Sequence, residues 1–263
     1  MWQQMAKKKI TVEGLRKFNI FMFVFFAIQV AVMFAIANAK VKFPINVSYL
    51  TFNIDTKTLD SATKAIYQLP LVWPILAFLV ICMLAHLIIS TIYYRRYKKD
   101  LKLGMNRARW IEYSFSASTM IVAVALLTGI YDLVSLICLF TLVMVMNLCG
   151  LIMEIHNQTT EKTKWISYIV GCIAGIVPWI GIAIYFWASA SNSTSGAKIP
   201  AFVYWIFITI FLFFNCFAIN MFLQYKKWGP WKNYLYGERV YIILSLVAKT
   251  ALAWQVFAGT LRP

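Results

Sequence analysis

The sequence predicts an all-α membrane protein: one domain over residues 1–263, with seven transmembrane helices and a short β-hairpin in the first extracellular loop. Three observations lead there. The chain is 62% hydrophobic and only 13% charged, against about 45–50% apolar and 25% charged in soluble domains. Seven apolar segments can be marked, at about 18–37, 67–92, 109–129, 132–153, 165–188, 200–224 and 240–260. Each is near the ~20 residues that a helix needs to cross hydrocarbon. Lys and Arg lie between these segments and alternate in density along the chain. A net charge of +16 would point a soluble protein toward nucleic acid. Here it reads as charged flanks at a bilayer, and no nucleic-acid partner is expected.

The first segment follows Lys7, Lys8, Lys9, Arg16 and Lys17, and Ala37-Asn38-Ala39 resembles a signal-peptidase site. Signal h-regions run only ~7–15 residues, so an uncleaved helix is expected. In the 38–66 loop, Val41, Phe43, Ile45 and Val47 alternate with other residues, and YLTFNI follows. That period of two predicts a hairpin, with Pro44 suited to an edge. Its expected use is to cover the outer face or meet a second protomer; an irregular loop is the alternative. Asp132 stands where an N-cap of the fourth helix belongs. In the fifth segment Gly171 and Gly175 form a small-residue face that lets helices approach, within the chain or between two copies. Pro178 is expected to bend that helix and open room beside Trp179. The sixth segment is rich in aromatics: Phe213, Phe214 and Phe217 lie near Asn215. With Trp179 they offer walls for a flat apolar ligand, or simply helix packing.

The N-terminal arm and alternate connections carry eighteen basic residues and the other side six, with Lys249 completing the 25. This asymmetry predicts a multi-pass cell-membrane protein with its N-terminus in the cytoplasm and its C-terminus outside. Five cysteines all fall inside apolar runs with no CxxC spacing, so neither disulfides nor a metal site are expected.

Few ionisable groups lie within the spans. Lys249 sits mid-way along the seventh segment, where an ammonium costs roughly 2.5–3.5 kcal/mol. It needs a partner, or a chemical use such as attack on a carbonyl. Glu112 lies in the third segment, followed at helical spacing by Ser116 and Met120; Ser245 precedes Lys249 by one turn. Glu112 has two possible partners, Lys249 across the bundle or Arg109 on its own helix. His86 in the second segment is either a histidine satisfied by a neighbouring helix or a proton acceptor near the buried pair.

Four stretches, RWIEYSFSAS, GCIAGIVPWIG, FLFFN and GERVYIILSLVAKTALAWQVFAGT, resemble the heliorhodopsins, seven-helix retinal photoreceptors of inverted topology. The resemblance covers nearly the whole chain and implies a rhodopsin-like bundle. It implies all-trans retinal bound covalently to Lys249 as a Schiff base, with Glu112 as counterion. Ser116, Ser245 and Met120 fall beside them, and Trp179, Phe213, Phe214 and Asn215 near the polyene. It gives His86 a role in proton transfer, whereas a second family histidine is replaced here by Phe26. It further implies a slow photocycle, a homodimer and a cytoplasmic signalling partner. Light-gated or light-driven proton or ion transport is the alternative function. A transporter or receptor with a structural Lys249–Glu112 pair is a third. No enzyme activity is expected.

Overall fold

A computed structural model describes residues 10–191 and 201–261. Lys7, Lys8, Lys9, Lys198 and Arg262, which enter the charge count, lie outside the described residues. Helix α1 (Val12–Ile36) leads to strands β1 (Lys42–Asn53) and β2 (Thr58–Pro70). Helices α2 (Val72–Ser90), α3 (Tyr94–Lys102), α4 (Arg107–Leu127), α5 (Leu133–His156), α6 (Ile166–Ser191) and α7 (Ala201–Lys226) follow. A short 3-10 turn (Gly229–Lys232) precedes α8 (Tyr234–Val256). Among the described residues seven helices, all but α3, are long and apolar enough to cross a membrane.

Side-chain caps mark several helix starts: Thr11 accepts from Gly14 N, Asn106 from Arg109 N, Asp132 from Ser135 N and Asn233 from Leu235 N. Each satisfies a backbone donor that the helix leaves open. The Thr11 cap starts α1 earlier than the apolar run does, so Arg16 and Lys17 lie inside the helix and do not precede it. Arg16 turns back toward the interface, donating to Ser90 O at 2.9 Å and stacking over Tyr94.

The hairpin is larger than the expected short one. Its strands have 12 and 13 residues, with a bulge between Ile45 and Asn46. Strand β2 takes residues 67–70 from what reads as the second apolar segment. Asn46 N donates to Tyr131 O at 2.9 Å and Phe43 stacks on Tyr131, so the hairpin is fastened to the α4–α5 turn. Its far end leaves Leu50, Phe52 and Ile54 exposed. At the opposite end, α3 is amphipathic: Tyr97, Asp100 and Leu101 are buried, while Arg95, Arg96, Lys99 and Lys102 face out.

Helix α4 is the most enclosed span, with 67% of its apolar window buried. It packs on α2 and α5, and α8 closes against α7 and α1. The Gly171–Gly175 face is used inside the chain. A Cβ on either glycine would meet Cys149 or Met146 of α5, the within-chain use of such a face. Gly150 of α5 likewise leaves space for the Trp110 ring, which is held by donation from its Nε1 to Glu154 at 2.7 Å.

Gly150→Ala should therefore overpack a ring that cannot retreat and destabilise the protein by about 1–3 kcal/mol. A thermal melt in detergent reads this; an unchanged midpoint would refute the contact.

Candidate functional site

Helices α4 and α8 bring Glu112 and Lys249 together. Lys249 is 3% exposed and Glu112 7%, and Nζ lies 2.5 Å from Oε1. A pair of buried opposite charges at hydrogen-bond distance removes most of the penalty that either would incur alone. Cys82 of α2 donates its thiol to the same Oε1 at 3.1 Å, so three helices meet at one carboxylate oxygen. The Tyr113 ring lies 4.9 Å from Nζ, and its hydroxyl donates to Tyr241 O at 2.9 Å. Ser116 Oγ and Ser245 Oγ are buried beside Glu112 and Tyr113 respectively, near enough to interact but without a well-formed hydrogen bond. Met120 is 2% exposed in the main apolar core.

Arg109 takes no part in that pair. Its guanidinium forms ion pairs with both Glu154 of α5 and Glu238 of α8, between the faces of Trp110 and Tyr241. Glu154 also accepts from Trp110 Nε1, Asn106 N (2.8 Å) and Tyr234 OH (3.1 Å). Glu238 accepts from Asn106 Nδ2 at 2.7 Å.

His86 lies between the two clusters. Its Nδ1 is 2.7 Å from Asn19 Oδ1, and the Asn19 amide donates to Leu15 O at 2.8 Å. With Oδ1 as the facing atom, His86 Nδ1 carries the proton and Nε2 holds the lone pair. Nε2 is buried without a partner. The imidazole stacks on Phe26, 5.8 Å between centroids. A cavity of about 20 Å³, lined in part by Asn19, His86, Tyr97, Arg109, Glu112 and Glu238, joins these groups. It has room for about one water. Burial pushes the Tyr97 hydroxyl up to about 12, so it stays protonated at this edge of the cavity.

A second cavity, of about 130 Å³, lies between α4, α5, α6 and α7. Trp179, Phe214, Asn215 and Phe217 line it together with Gly150, Gly171 and Gly175, and Gly171, Gly175 and Trp179 share one face of α6. Trp179 meets Phe211 and Phe214 edge-on, each at 5.3 Å. Phe213 is not among the lining residues and packs against the main core. Asn215 spends its amide on Phe211 O of its own helix.

A model of the heliorhodopsin family matches residues 15–261. The chain belongs to the heliorhodopsin family. A crystal structure of a light-driven proton pump from Leptosphaeria maculans has the same fold, with a TM-score of 0.64 at 16% identity over 93% of this chain and 95% of that one. No curated protein matches the chain in sequence. Membership in a rhodopsin family implies a retinal chromophore, and this heliorhodopsin's residues fit one. They supply a buried primary amine, a carboxylate beside it and two buried hydroxyls, while the cavity walled by Trp179, Phe214 and Phe217 is lined by neither Lys249 nor Glu112.

Sequence reasoning does not single out Cys82, Asn19 or the Arg109–Glu154–Glu238 cluster. The last makes a testable demand. Arg109→Gln leaves two buried carboxylates without a counter-charge and should destabilise this heliorhodopsin by about 3–5 kcal/mol. Adding Glu154→Gln and Glu238→Gln to Arg109→Gln should recover most of the loss in a thermal melt; no recovery would argue against a charge-based role.

Proposed function

We propose that this heliorhodopsin is a light-sensing retinal protein, with all-trans retinal attached through Lys249 Nζ in the dark. The observation that carries the reading is the 2.5 Å contact between a central buried lysine and a buried carboxylate. When bound, retinal supplies visible absorption and a light-driven isomerisation. Glu112 Oε1 holds the positive charge at the Lys249 nitrogen, and a stronger hold on that charge favours the protonated form. The Cys82 thiol, by donating to Glu112, disperses part of the carboxylate's negative charge and fixes its orientation. Glu112 is the first group able to take a proton from that nitrogen, and His86 Nε2 is the next free acceptor along the small cavity. Trp179, Phe214 and Asn215 shape the apolar end of the site. Met120 and Phe213 act behind it, through packing.

In this reading the whole chain works as one domain. The basic residues place the α3 end in the cytoplasm, where a signalling partner meets it after a slow photocycle. The exposed hairpin residues Leu50, Phe52 and Ile54 support a homodimer at the outer face.

Transport is the second reading. It is favoured by the stacking of Phe26, not a second histidine, on His86, and by the cavity that reaches from Glu112 to Glu238. A steady photocurrent in illuminated cells would select it; only a transient displacement would select sensing.

Lys249→Ala should yield no covalent pigment after addition of all-trans retinal, and a normal visible band would exclude the attachment site. Glu112→Gln should move the absorption strongly to longer wavelength or leave the pigment deprotonated in the near ultraviolet. An unchanged spectrum would exclude Glu112 as counterion. If the wild-type chain forms no pigment at all, Lys249–Glu112 is a structural pair in a transporter or receptor.

A further inference from the structure

At the end of α7, far from the retinal site, three lysines converge without a counter-charge. A surface cavity of about 470 Å³ is lined by Phe222, Lys226, Lys227, Trp228, Gly229 and Lys232. No acidic residue lines it, and none of the three lysines forms an ion pair among the described residues.

The backbone sets all three lysines around one hollow. Trp228 N donates to Leu223 O and Lys227 N to Gln224 O, the paired bonds that close a helix in a Schellman motif. The residue at the turn of that motif adopts a left-handed conformation and is usually glycine. Here it is Lys227, at φ 52°, a conformation that L side chains disfavour. Gly229 follows at φ 55°, and the 3-10 turn Gly229–Lys232 brings Lys232 back to the same hollow. Lys226 Nζ is steadied 5.6 Å over the Trp165 ring and 5.7 Å over Phe222. Trp228 stands 70% exposed at the rim. Since Lys226 ends a membrane span, the hollow lies at headgroup depth, where amphipathic indole rings and lysines meet lipid.

We propose that this cradle binds the phosphate of an anionic phospholipid headgroup in the adjoining leaflet. Three ammonium donors match a phosphate diester, Trp228 lies along the glycerol and upper acyl region, and the strained Lys227 is retained because glycine would remove the middle donor. This site does not depend on retinal binding or on membrane orientation.

The test uses the full chain in bilayer discs containing phosphatidylcholine and phosphatidylglycerol, with retained lipid counted by native mass spectrometry after extraction. Phosphatidylglycerol should be retained in preference to phosphatidylcholine. Lys227→Gly should lower that preference about fivefold, the factor for one lysine at a charged membrane surface, and at the same time raise the thermal midpoint by relieving the turn. Lys226→Gln/Lys227→Gly/Lys232→Gln should lower it further. Arg95→Gln/Lys99→Gln/Lys102→Gln removes equal charge from the exposed side of α3 and should leave it unchanged. Equal loss in that control would reduce the effect to general surface charge and overturn the site. An unchanged preference in the triple cradle variant would also overturn it. Displacement of the lipid by glycerol phosphate at equal concentration would assign the cradle to a soluble phosphate and overturn the lipid assignment.

Discussion

A lysine and a glutamate 137 positions apart in sequence meet through one hydrogen bond at the centre of the bundle. Much of the surrounding arrangement depends on that meeting. Either charge alone in hydrocarbon would be expensive; together they fix how far α4 and α8 are shifted along one another. The Cys82 thiol adds α2 to the same atom. Toward the α3 end of the bundle the device is repeated. Arg109 of α4 joins Glu154 of α5 and Glu238 of α8. Helices α4 and α8 are thus tied at two levels, one site apolar-walled and formally neutral, the other hydrogen-bonded on many sides and formally carrying one excess negative charge.

The two levels differ in how much freedom they leave. Glu154 accepts from four separate donors, and its orientation is over-determined. Glu112 accepts from Cys82 and Lys249, with the Ser116 hydroxyl near enough to add a weaker third donor. A carboxylate held by few donors can exchange one of them, for instance when the charged nitrogen moves. A carboxylate held by four resists exchange. The Lys249 level is therefore suited to changing state, and the Arg109 level to holding the helices while that happens.

The sequence is informative where depth in the membrane makes a residue conspicuous. Lys249 and Glu112 stand out because their segments are long and apolar on both sides. Glu154 and Glu238 do not, because the apolar runs end at 153 and begin at 240, which leaves both as loop residues; α5 in fact extends to His156 and α8 begins at Tyr234. Arg109, the first residue of the third apolar run, is visible as a possible partner of Glu112 but not of the two glutamates it meets. Cys82 reads as a small hydrophobe, which it is, until a carboxylate lies within reach of its thiol. The aromatic wall is legible in part. Phe214, Phe217, Ala218 and Met221 recur at the spacing of one helix face and line the cavity together, whereas Phe213 is one step off that face. Helix α3 is hidden by its basic composition, and the length of β2 by a run of Ala, Ser, Thr and Lys that lacks regular apolar alternation.

Phe26 sets what lies against the face of the His86 ring. Its ring lies nearly parallel to the His86 imidazole, 10° between planes, and is fully buried. It offers no donor or acceptor, and it stands against His86 outside the cavity lining, where α1 is represented by Asn19. Asn19 in turn occupies His86 Nδ1 and leaves Nε2 as the free atom. The remaining polar wall of the cavity is formed by Tyr97, Asn106, Arg109, Glu112, Tyr113 and Glu238. Phe26 thus adds no titratable group beside His86, and Asn19 is the polar contribution of α1 to this small space. It faces Glu112 and Arg109 of α4 and Glu238 of α8, the same two helices that the central ion pair holds in register.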